Sequence, residues 1–135
     1  MLWDINGKVC AKYVYENGKG KEFVQVNKIG YCNLRKQVVL ACEDNTTRIY
    51  STSSSSPIHS ISTPSSPSTL TIQDHLLAIA THSSSLHIYD MRRWQLLSEP
   101  QFCHESKYDM GIGSVAFVGD ILISAGADGV IKGWK

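Results

Sequence analysis

Aromatic residues stand at near-equal intervals along this chain: Trp3, Tyr50, Tyr89 and Trp134 are separated by 47, 39 and 45 residues. Each sits at the end of a strand-like stretch, in LWD, RIYS, HIYD and IKGWK. A fixed period of ~40–45 residues marks a fold built from repeated supersecondary units, none of which can bury its apolar faces alone. That requirement constrains the chain more than any other feature. Its units must stack on one another.

Aligned on the aromatics, KQVVLACEDNTTRIY, HLLAIATHSSSLHIY and DILISAGADGVIKGW are equal in length and share one hydrophobic rhythm. Each reads as strand, tight turn, strand. The runs Val38 to Leu40, Leu76 to Ala78 and Ile121 to Ile123 suit strands buried on both faces. Asp44, Ser83 and Asp128 each fall six residues before the aromatic, in the turn. Asp128-Gly129 is a strong hairpin signal, because glycine takes the positive φ that a two-residue turn needs. Another strand precedes each hairpin, marked by Ile29, Tyr31 and Leu34, by Leu70 and Ile72, and by Val115 and Phe117. A further one is expected to follow each aromatic, at Lys8 to Tyr15, Pro57 to Ser62 and Trp94 to Leu97. No stretch carries helical periodicity over the ~10 residues a helix needs. The fold class is all-β, with about three four-stranded antiparallel sheets.

Composition narrows the function. With 13 basic and 12 acidic residues among 135, the net charge is +1, which leaves no electrostatic footprint for nucleic acid or an anionic membrane. No apolar run approaches a ~20-residue membrane span, and a secretory leader is not visible. A cytoplasmic or nuclear location is expected. Cys10, Cys32, Cys42 and Cys103 are spaced 22, 10 and 61 residues apart, which fits free thiols and not a structural metal site.

LWD, IYD at Ile88 to Asp90, and above all SVAFVGDILISAGADGVIKGW from Ser114 to Trp134 resemble the WD40-repeat family. The resemblance implies blades of a β-propeller over 1–135, with a repeat tail at 1–4 and repeats at approximately 5–51, 52–90 and 91–135. It also implies a buried structural relay of His104, Ser124, Asp128 and Trp134, in which carboxylate, imidazole, hydroxyl and indole satisfy one another. Cys103-His104 stands where Gly-His is usual. The first two repeats keep only fragments of the relay: Leu40 holds the serine position in one and Ser83 the aspartate position in the other. Those units are expected to rely on packing.

Three blades cannot close a ring, so an incomplete propeller is expected to be the C-terminal part of a longer one, half of a pair of copies, or the complement of another chain's blades. A strand at Lys8 to Tyr15 added to the last sheet would complete three whole blades. The family resemblance implies a non-enzymatic scaffold or adaptor that binds other proteins, without cofactors; the alternative is a structural segment completing a propeller with another chain or a second copy. Topology gathers the loop from Glu99 to Gly113 and the turns at Glu43 to Asn45, His82 to Ser84 and Ala127 to Gly129 at one end, where Tyr108, Asp109, His82 and Glu43 are candidate partner contacts.

Other motifs are weaker. Ser124, His104 and Asp128 are the residue types of a hydrolytic triad, but a serine inside an apolar strand without a G-x-S-x-G turn reads as structural. Ser56, Thr63 and Ser66 each precede proline, so they are candidate phosphorylation sites in otherwise solvated loops. Asn45-Thr46-Thr47 matches an N-glycosylation pattern by chance, the glycines of NGKGK and DMGIGS read as turns, and Arg92-Arg93 reads as a solvated corner that could anchor an acidic peptide.

Overall fold

A computed structural model describes residues 2–3, 6, 9–11, 24–53, 57–105 and 110–135, and every regular element among them is a strand. β1 (Leu2–Trp3) pairs with β2 (Val9–Ala11). β3 (Val26–Cys32), β4 (Gln37–Cys42), β5 (Thr46–Ser51) and β6 (Pro57–Ser62) form the first antiparallel sheet, paired in sequence order. β7 (Pro67–Gln73), β8 (Leu76–Thr81), β9 (Leu86–Asp90) and β10 (Gln95–Ser98) repeat the arrangement. β11 (Ile112–Val118), β12 (Ile121–Gly126) and β13 (Ile131–Trp134) make a three-stranded third sheet. β2 lies against β1 and not against β13, so the expected completion of the last sheet by that segment does not occur among the described residues.

Period-2 alternation explains how the sheets stack. In β8, Leu77 and Ile79 point to the first sheet, meeting Val39, Ala41 and Ile49. Ala78 and Ala80 point the other way, joining Leu86, Ile112, Val115 and Leu122 in the seam with the third sheet. Each fully buried Ile or Leu at these seams contributes on the order of 1.5–3 kcal/mol. The second sheet is thus walled on both faces, which is why β8 reads as an unbroken apolar run.

The innermost strands pack side by side, β7 touching both β3 and β11. Gly30 permits this closeness, since a Cβ there would lie 2.4 Å from Leu70 Cδ1. The two outer faces differ. On the first sheet, Val38, Leu40, Cys42 and Tyr50 are covered, together with Val24. On the third, Ile121 and Ile131 remain 38% and 74% exposed.

Three local expectations need correction. Leu34 lies in the turn after β3, not in the strand, because the chain reverses over four residues, 33–36, before β4. Trp94 precedes β10 in a turn with φ 51°, which shifts that strand to Gln95–Ser98. β12 is buried only on alternate residues, since no further sheet among the described residues covers its second face.

Candidate functional site

The hairpin β12–β13 and the loop before β11 bring the four relay residues together. Asp128 opens the hairpin turn, and its two oxygens lie 3.1 and 3.2 Å from His104 Nδ1. His104 Nε2 is 2.8 Å from Ser124 Oγ, and Trp134 Nε1 donates to the same hydroxyl at 2.9 Å. The ionised carboxylate can only accept, so Nδ1 carries the ring hydrogen and bare Nε2 accepts the Ser124 proton, while the hydroxyl oxygen accepts from the indole. The imidazole donates its hydrogen to the carboxylate, and every polar group is satisfied.

Asp128 takes two more donors, the backbone N–H groups of Glu105 and Val130, each at 3.0 Å. Burial alone would raise its pKa, but these N–H groups and His104 outweigh it and hold the carboxyl at about 2. The turn, the incoming loop and the strand pair are therefore tied at one carboxylate.

The triad residue types are in register, yet the environment is not that of a nucleophile. Ser124 is fully buried, and its oxygen already accepts an indole N–H. The neighbouring cleft is lined by His104 and Asp128 but not by Ser124. A hydroxyl with no approach path for a carbonyl carbon holds structure.

The second sheet has a polar chain that sequence reasoning missed. Thr81 Oγ1 and Ser85 Oγ are 2.6 Å apart, Ser85 Oγ and His87 Nε2 are 3.0 Å apart, and His87 Nδ1 lies 3.4 Å from a Glu99 carboxylate oxygen. Packing alone was expected there. Instead Ser85 and His87, two apart on the approach to and within β9, share a face and find a loop carboxylate. Burial lowers the His87 pKa, against the pull of Glu99. The alternation Ser85-Leu86-His87 was the available signal; Glu99, from beyond β10, had none.

Polar bonds also cross the seams. Each innermost strand begins with a bulge, at Asn27, Ser68 and Gly113 in turn. Asn27 Nδ2 donates to the carbonyl of Pro67 at 3.1 Å, and Ser68 Oγ to that of Ile112 at 2.5 Å.

The end carrying the turns 43–45, 82–84 and 127–129 holds two of the candidate partner contacts, Glu43 and His82. Glu43 and His82 come together in a cleft of about 530 Å³, with Asn45, Pro64, Ser65 and Ser66 completing its walls. Glu43 accepts from Asn27 Nδ2 at 2.6 Å, while the buried Nδ1 of His82 has no hydrogen-bond partner among the described residues. Ser66 Oγ donates within the same cleft, to Glu43 O at 2.8 Å and Asn45 Oδ1 at 3.0 Å. Thr63 is 7% exposed, and its hydroxyl donates to the carbonyls of Ser65 and Asn45. Tyr108, Asp109 and Ser56 lie outside the described residues.

At the opposite end the ring of His59 stacks on Trp94, with centroids 4.5 Å apart, closing the seam between the first two sheets.

No family model matches the sequence, and no curated protein matches it. Solved structures do. The chain is similar to one in the mitotic checkpoint complex (TM-score 0.70, 17% identity, 82% of this chain and 34% of that one). It is similar to Sqt1 of Saccharomyces cerevisiae (TM-score 0.67, 17% identity, 82% and 31%). It is also similar to the RRP9 WD40 repeats (TM-score 0.70, 17% identity, 82% and 35%). The chain spans about a third of the length of each of these.

Proposed function

Since the chain is folded as three blades of a WD40-type β-propeller, forming an open ring, we propose that it is a non-enzymatic scaffold that binds other proteins through the turn-bearing end of its blades. The carrying observation is the cleft where Glu43 and His82, distant in sequence, meet at the seam of two rigid sheets. Loops held by such a frame offer a preformed surface, so little ordering entropy is lost on docking. The exposed carboxylate of Glu43 supplies a polar contact, and the partly exposed ring of His82 supplies a surface to pack against. The buried relay favours a structural role for Ser124 over catalysis. Three buried free thiols suit the cytoplasm or nucleus, where reducing conditions keep them so.

The test is affinity capture with the tagged full chain. Partners recovered by the natural sequence and lost with Glu43→Lys and His82→Ala, at unchanged melting temperature, support the reading. Partners retained by both variants refute it.

A second reading draws on the third sheet, where Ile121 and Ile131 are exposed and β13 has no outer strand among the described residues. The chain then completes a propeller with further blades, from another chain or a second copy. Ile131→Lys discriminates: it abolishes that association and leaves binding at the Glu43 cleft intact.

A further inference from the structure

We propose that the cleft between the second and third blades, bordered by Phe102, Val130, Ser84 and Glu105, docks a cationic segment of a partner protein, an Arg or Lys set beside an apolar side chain. The proposal rests on the scaffold reading above and adds to it a second cleft, with one ligand chemistry.

Phe102 is 88% exposed and has φ 54°, a left-handed conformation that aromatic residues rarely adopt. Both features are unfavourable, and the surrounding chain enforces both. Pro100 O accepts from Leu86 N at 2.9 Å on one side. On the other, Cys103 is buried and donates to Ser84 O at 2.8 Å, and His104 enters the relay. Left-handed residues recur in the turns of this chain, Trp94 among them, and what sets Phe102 apart is that its loop is pinned with the whole ring facing water.

The ring borders a cleft of about 900 Å³. Ser84, 2% exposed, lines it, and its Oγ makes no hydrogen bond among the described residues. That hydroxyl is itself buried beside Gly111, so the contacts with a ligand fall to the exposed Phe102, Val130 and Glu105.

Charge selects the ligand. On this end Asp44 is offset by Arg48 at 3.8 Å, and the oxygens of Asp128 are occupied by N–H groups. Glu105 is exposed, with no ion pair among the described residues, and is the available anion of the cleft. A guanidinium or ammonium over the Phe102 face gains cation–π attraction, lays its stem along Val130, which is 42% exposed, and reaches Glu105 with its head. Lys132 lines the same cleft and repels the cation from its own side, which fixes the orientation of the segment.

The experiment is fluorescence anisotropy of the full chain with two labelled short peptides, one alternating leucine and arginine, the other leucine and glutamate. The arginine peptide is expected to bind, less tightly as salt rises. Glu105→Lys and Phe102→Gly each weaken it by roughly ten-fold or more, and Lys132→Glu strengthens it. Phe102→Gly does not lower the melting temperature, since glycine relieves the φ strain. Absence of arginine-peptide binding overturns the proposal. So does equal or tighter binding of the glutamate peptide, or indifference to Phe102→Gly and Glu105→Lys. Loss of captured cellular partners with Glu43→Lys but not with Phe102→Gly sinks this cleft alone and leaves the scaffold reading standing.

Discussion

Ser68 Oγ lies 3.2 Å from the carbonyl of Ala80 in its own sheet and 2.5 Å from that of Ile112 at the start of the next blade, and donates its proton to the nearer. Asn27 makes the corresponding bond to Pro67 one blade earlier. Both side chains project from the extra residue of a bulge, so the irregularity that bends the strand also stitches neighbouring sheets. Gly113 holds the third such position and has no side chain to extend. Ser68→Ala is expected to cost about 1 kcal/mol in chemical denaturation, the net value of a part-buried hydrogen bond. A variant as stable as the natural chain would show that apolar packing alone joins the blades.

Removing the relay hydroxyl strands two buried donors or acceptors at once. Ser124→Ala leaves His104 Nε2 and Trp134 Nε1 without their shared partner, and a loss of about 1–3 kcal/mol per unsatisfied group is expected in urea unfolding. Gly126→Ala attacks the same relay sterically, because the added Cβ would lie 2.6 Å from His104 Cγ. Both variants should unfold at lower denaturant concentration.

The second blade confers a pH dependence of its own. Burial lowers the folded pKa of His87 below 6.5, so the unfolded chain binds the proton more readily. The stabilisation is complete above pH 6.5 and is lost as pH falls from there toward the folded pKa. His87→Gln should lack that component of acid destabilisation, which parallel urea titrations at neutral and mildly acidic pH would reveal. Asp128 adds a lower window: its contribution is present above 3.8 and declines as pH falls toward about 2.

The three hairpins place Asn45, Ser84 and Gly129 at the same turn position, with φ of 64°, 67° and 76°. Glycine adopts this region freely; asparagine and serine do so at a cost. Asn45→Gly is expected to raise the melting temperature slightly, and Gly129→Ala to lower it by an equivalent of ~1 kcal/mol. Opposite shifts would mean that side-chain contacts, not backbone strain, govern the turns.

Cys32, Cys42 and Cys103 are buried, and burial is the main cause that raises Cys42 to about 11 and Cys103 above its ordinary value. None should react with a thiol reagent at neutral pH in the native state. Labelling of these three, followed by mass spectrometry, is expected only after denaturant unfolds the chain.

Much of this was legible because strands and hairpins are local. The spacing of Tyr50, Tyr89 and Trp134 and the apolar runs before them marked three hairpins, and the WD40 resemblance suggested His104, Ser124, Asp128 and Trp134 as partners. The second blade showed the limit. Ser83 in the aspartate position looked like a gap in a pattern, while Ser85, His87 and Glu99 form a different chain whose acidic end comes from another loop.

The sequence by itself determined the period, the strand class and the turns, since those depend on neighbours within a few residues and on alternation along one strand. Tertiary structure alone decided which faces met, that Glu43 and His82 share a cleft, and that Phe102 is held toward solvent while Cys103 beside it is buried. Those outcomes depend on how whole sheets stack and on which distant loop reaches each vacant donor or acceptor, and that information is spread over contacts far apart in the chain.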